Sequence, residues 1–267
     1  MHTQTNRAGL GLFAFLALLP LSYAQESVVL DARVNVLQLD SANAIGLSSS
    51  GPNLTIDATG NPRFGSPPSA QYKSVVYQFL RDVGGIDYRA IPLNAPPVAY
   101  SGPGNAFLTD GEGTLGDNVG QADLTVRDAA LNPVEFRTLF ANMAAEHNAT
   151  TVIPFLTSGS LGLYEVCVSG VAWHGAPDSA VYWSAVLQFQ TEDGGLDYAV
   201  APAHQCTTVY GKDVRIFITD ATGTLGDNRG FLTAMLTPVP DPATGFVLCA
   251  GMACYWIGRR ARIKRTR

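Results

Sequence analysis

Residues 75–120 and 185–230 superpose at a constant offset of 110 without a gap, and 19 of the 46 paired positions are identical. A chain that repeats itself in this way builds one plan twice, so each local structure in the first segment is expected again in the second. The shared words include Gln78-Phe79 with Gln188-Phe189, and Gly84-Gly85-Ile86-Asp87-Tyr88 with Gly194-Gly195-Leu196-Asp197-Tyr198. The longest begins at Thr109 and Thr219 and reads TDxxGTLGDNxG in both. A period near 110 far exceeds that of stacking repeats, so each copy reads as a small domain or as half of one sandwich.

Within a copy the pattern is that of strands. Val75 to Leu80 and Ala185 to Gln190 are rich in apolar, β-branched and aromatic residues, and each runs into Gly-Gly and a second apolar stretch, as a hairpin does. Further strands are expected over 27–39, 53–57, 152–156, 161–169 and 171–174. Short strands at this spacing predict an all-β fold, an internally duplicated antiparallel β-sandwich. One segment departs from the pattern. Asn132-Pro133-Val134-Glu135 resembles a helix start, and Phe136, Leu139, Phe140 and Met143 fall on one helical face. The expected organisation is a first copy over 25–131, a short helical connector over 132–146 and a second copy over 147–238.

Both ends read as addresses. Residues 1–24 carry Arg7, an apolar stretch from Leu10 to Leu21, and Ser22-Tyr23-Ala24 as a cleavage site, the pattern of a secretory signal. The other end, 239–267, has three parts in order: Val239-Pro240-Asp241-Pro242, an uncharged run from Gly245 to Gly258, and a terminus in which six of the last nine residues are basic. Fourteen helical residues span about 21 Å, short of a ~30 Å hydrocarbon core, which suits a transient anchor. The basic cluster stays cytoplasmic by the positive-inside rule and leaves the body on the far side of the membrane. The two prolines fix φ and exclude helix, holding the motif extended and open to a processing enzyme.

This tail resembles the PEP-CTERM sorting signal of exosortase substrates, with Asp241 where the family's motif has Glu. The resemblance covers only about the last thirty residues. It implies export by a Gram-negative bacterium that makes extracellular polysaccharide, an exosortase-type partner that removes the tail, and delivery to the cell surface or matrix. Contact with the membrane is then through the tail alone, before processing. Without both ends the body holds 10 basic and 21 acidic residues, about −11. That charge disfavours nucleic acid, because no positive field displaces counterions from phosphates.

Candidate chemistry is sparse. The loops Asp110–Asn118 and Asp220–Asn228 carry oxygen ligands that Ca²⁺ could use, but Glu112 is replaced by Thr222, and Gly, Asp and Asn are also the residues of tight turns. Turn-forming hairpin connections are the favoured reading, with positive φ at Gly116 and Gly226 or at Asn118 and Asn228. Cys167 and Cys206 are the only cysteines of the exported body, and export makes a disulfide the default. His147, His174 and His204 lack a metal-binding spacing, and Trp173 and Trp183 read as core. No catalytic set, metal set or cofactor is expected. The leading expectation is a structural or binding protein of the surface or polysaccharide matrix. The alternatives are a polysaccharide hydrolase, which needs two carboxylates on one cleft, and a carbohydrate-binding module, which needs open aromatic platforms.

Overall fold

The computed structural model describes residues 25–65, 70–155, 160–175, 180–221 and 224–240. The signal 1–24, the tail from Asp241 onward with Pro242, Cys249 and Cys254, and Thr222 and Gly223 of the second loop lie outside the described residues. The chain first forms β1 (Glu26–Asp31), β2 (Val36–Leu39), β3 (Ile45–Leu47), β4 (Thr55–Gly60), β5 (Arg63–Phe64) and β6 (Ala70–Gln71). Then come β7 (Ser74–Leu80), β8 (Ile86–Pro92), β9 (Val98–Ala99), β10 (Gly104–Phe107), β11 (Thr109–Gly111) and β12 (Gln121–Arg127). There follow β13 (Pro133–Phe140), β14 (Ala145–His147), β15 (Ile153–Pro154), β16 (Gly162–His174), β17 (Ala180–Val181), β18 (Ser184–Gln190), β19 (Leu196–Pro202), β20 (Gln205–Ala221) and β21 (Arg229–Val239). The fold is all-β, with no α-helix among the described residues. The expected hairpins are present as β7 with β8 and β18 with β19, at the same offset of 110.

In the first half, one sheet runs β13-β12-β4-β9 and a second runs β3-β10-β7-β8. In the second half β20 is long enough to serve both layers, pairing β16 through its first part and β15 and β18 through its last. The sequence explains the difference. Pro96-Pro97 and Gly102-Pro103 break the equivalent stretch of the first half into β9 and β10, since proline brings no N–H to a ladder. Cys206-Thr207 and Lys212-Asp213 occupy those positions in the second half and let one strand continue.

The two halves exchange their leading strands. β13 belongs by sequence to the second half but completes the first half's sheet against β12, and β1 completes the second half's sheet against β21. The strands that follow cross over too, β14 lying parallel to β11 and β2 parallel to β20. One continuous apolar core, with Tyr77, Phe107, Tyr182 and Phe217 fully buried, runs through both halves.

The segment 132–146 is not a helix, and this corrects the sequence expectation. Asn132 instead closes a tight turn in which Asp128 Oδ1 accepts from the N–H groups of Ala130 and Asn132. Beyond it burial alternates with period two: Glu135 and Leu139 are inside, while Val134, Phe136 and Phe140 are exposed. An open ladder edge on β12 satisfies this segment's backbone, whereas a lone short helix is marginal without packing. Glu135, which resembles a helix-capping glutamate in sequence, is a buried anchor that accepts from the N–H and hydroxyl groups of Ser48 and Ser49 and pairs with Arg137 at 2.7 Å.

Candidate functional site

The TDxxGTLGDNxG motifs lie where the halves meet, and their leading threonines and their asparagines bond across the junction. Thr109 donates its N–H to the Tyr198 hydroxyl at 2.9 Å, and Thr219 donates its N–H to the Tyr88 hydroxyl at 2.8 Å. Each tyrosine comes from the opposite half. The carbonyls of the same threonines accept from Tyr72 and Tyr182, both at 3.2 Å. Ser74 donates to Asp197 and Ser184 to Asp87, again reciprocally. The motif asparagines clamp the chain just after each exchanged strand: Asn118 Nδ2 donates to Ala141 O at 3.1 Å, and Asn228 Nδ2 to Ala32 O at 2.8 Å.

These loops are not hairpin connections as expected, because β11 does not pair with β12, nor β20 with β21. Each joins two strands that do not pair with each other through a right-handed 3-10 turn, Leu115–Asp117 and Leu225–Asp227. That turn keeps Gly116 and Gly226 out of positive φ, and Asn118 is extended at φ −79. Positive φ falls instead on Gly113 and on the closing glycines, Gly120 at 83 and Gly230 at 76. A Cβ on Gly120 would lie 2.6 Å from Asn61 O and one on Gly230 2.4 Å from Val171 O, so backbone proximity as well as conformation requires glycine.

Two clefts flank the junction at equivalent positions. The first, about 450 Å³, is lined by Leu39, Gln78, Phe79, Ile86, His174 and Asp220. The second, about 240 Å³, is lined by Phe64, Asp110, His147, Gln188, Leu196 and Arg215. The decisive substitution between them is Phe64 for His174. Phe64 packs on Tyr72, with ring centroids 5.0 Å apart, as His174 lies beside Tyr182 at 6.2 Å.

At the first cleft His174 Nδ1 lies 2.9 Å from Asp220 Oδ1 and 3.3 Å from Asn228 Oδ1. Asn228 Nδ2 also donates to Asp220 Oδ2 at 2.8 Å. The hydrogen bond to Asp220, acting against desolvation, raises the His174 pKa. Burial works to raise Asp220, but hydrogen bonds from His174, Thr224 and Asn228 outweigh it and hold the carboxyl below its ordinary value. Asp227 completes a group whose ligand atoms all lie within 4.8 Å of one another. Among the described residues the other such group, Glu165 with Cys167 and Cys206, has both sulfurs committed to a disulfide.

In the second cleft His147 is 5% exposed, and Gln188 Nε2, which donates to Thr109 Oγ1 at 2.8 Å, lies 3.4 Å from His147 Nε2. Desolvation, with Arg215 nearby, lowers its pKa to about 4. The folded state therefore keeps His147 neutral while the unfolded chain takes up a proton near pH 6.5. Stability from this group is complete above pH 6.5 and is lost as pH falls towards 4. The loss amounts to about 3 kcal/mol, since each tenfold difference in proton affinity between the two states is worth about 1.4 kcal/mol. Urea unfolding of wild type and His147→Leu at pH 7 and pH 4 checks this. The stability advantage of wild type over the variant should shrink by that amount, and a constant difference would contradict it.

Cys167 and Cys206 face each other in the β16–β20 ladder at disulfide distance, with Cα atoms 3.9 Å apart. Trp173 and Trp183 are not core as expected. Both are half-buried, and Trp183 reaches across the junction to donate to Gly84 O at 2.8 Å under the guanidinium of Arg81, 5.0 Å from the ring centroid. That ring is a strut rather than an open sugar platform. His204 is exposed at positive φ, away from both clefts. The pairing of His174 with Asp220 and Asp227 escaped sequence reasoning; the one available signal was the asymmetry between His174 and Phe64 at matched positions. No family model, no curated protein and no solved structure matches this chain.

Proposed function

We propose that the chain is an exported, disulfide-braced β-protein delivered by an exosortase-type route to the bacterial surface or polysaccharide matrix, where it acts as a structural or binding component. The observation that carries this reading is the order of the tail, Val239-Pro240-Asp241-Pro242, then an apolar run, then a basic terminus, with Val239 the final residue of the body's last strand. The fold is compatible with loss of both ends. β1 opens two residues after Ala24, β21 closes on Val239, and Glu26 pairs with Leu236, so both addresses leave from one end of one sheet edge. The Cys167–Cys206 pair agrees with an oxidising compartment. No helix of the described residues is long and apolar enough to cross a membrane.

The test is mass spectrometry of the surface form from a host with the matching exosortase. The mature protein should begin at Gln25 and lack the Arg259–Arg267 peptide. Recovery of that peptide from the surface form would refute processing and leave a plain membrane anchor.

A further inference from the structure

We propose that His174, Asp220 and Asp227 form a binding site for a divalent transition-metal ion of the zinc class on the wall of the first cleft. Their ligand atoms already lie within 4.8 Å of one another, with His174 Nδ1 and Asp220 Oδ1 2.9 Å apart. An ion that binds nitrogen and oxygen at about 2.0 to 2.2 Å holds its donors roughly 3 to 4 Å apart, so a movement of under about 1 Å closes the shell. One imidazole and two carboxylates suit such an ion, whereas Ca²⁺ takes six to eight oxygens.

Three further observations point the same way. Asp227 Oδ1 is buried and has no hydrogen-bond partner, although neighbouring polar atoms of the cluster are paired. Asp220 is 1% exposed and held in place by Asn228, itself fully buried, which is the outer support a metal-binding carboxylate requires. His174 and Asp220 also line an open cleft, so an ion has a way in and an oxygen ligand or water can take the remaining position.

The duplication supplies an internal control. Phe64, Asp110 and Asp117 stand at the matching positions of the first half, which keeps both carboxylates and lacks the imidazole. There Asp110 Oδ2 and Asn118 Oδ1 are left buried without partners. The first half should bind no ion, and gain of a histidine should create a site.

The experiment is equilibrium dialysis of Zn²⁺, in excess Ca²⁺, against the full chain purified in detergent without an oligohistidine tag and with free thiols alkylated. Wild type is expected to bind one zinc more than His174→Phe, and Asp220→Asn to weaken that ion at least tenfold. Phe64→His is expected to add one ion to the wild-type number. His174→Phe copies the residue the first half already carries, and circular dichroism verifies its fold; Asp227→Asn gives the same reading should that variant not fold. Equal zinc in wild type and the folded variants would show that the cluster is an ion pair only, and would overturn the proposal.

Discussion

Replacing Cys167 and Cys206 together by alanine is expected to destabilise the folded protein by about 4 kcal/mol. The bond closes a loop of sequence separation 39, and the loop-entropy relation assigns about that cost to freeing it in the unfolded chain. The native state should change little, because β16 and β20 are already paired from Gly162 opposite Gly211 to Val168 opposite Gln205. Urea unfolding of oxidised wild type and the double variant should therefore show a lower midpoint, with a slope altered only by the looser unfolded chain. A difference below about 1 kcal/mol would mean that the bond is absent from the protein or constrains nothing. The first half has no such bond; at the position matching Cys167 it carries Asp57, paired to Arg127 at 2.8 Å.

Removing the Tyr88 and Tyr198 hydroxyls together is expected to cost about 2 to 6 kcal/mol. Each hydroxyl accepts a backbone N–H from a threonine with no exposed surface, and stranding one buried donor costs about 1 to 3 kcal/mol. Tyr→Phe keeps the ring and its packing, so the loss reports the hydrogen bonds alone. Because the bonds are reciprocal, Tyr88→Phe and Tyr198→Phe should cost similar amounts singly, and the double variant at least their sum. Thermal or urea unfolding of the four proteins completes the cycle. Single variants within about 0.5 kcal/mol of wild type would show that the junction does not depend on them.

Strands such as 74–80 and 184–190 were legible because β-branched and aromatic residues ended in Gly-Gly, and their identity at one offset announced the same element twice. The strand exchange was not legible. β1 and β13 share no word of sequence, and their partners, β21 and β12, are identified only by a register that the local pattern does not encode. The helix expected over 132–146 failed because Phe136, Leu139, Phe140 and Met143 satisfy a period of 3.6 by coincidence, while the vacant edge of β12 decided the conformation. In the TDxxGTLGDNxG loops, turn chemistry was readable from composition. The placing of positive φ at Gly120 and Gly230 was not, since it depends on the carbonyls of Asn61 and Val171, which are brought close only by the fold. His174 ends the long strand β16, where a strand pattern accounts for it fully and hides the carboxylates it meets.

The pairing of the first strand with the last also constrains the order of folding. β1 finds its ladder only on β21, so a chain emerging from its N terminus carries an unpaired strand until residues 231–236 follow. Contacts of such long sequence separation form late, and the edge they cover stays open meanwhile to pairing with other chains. The second half's sheet can close only when the whole body is present, so a partial chain, however long, is kept from completing this fold before its last strand has been made.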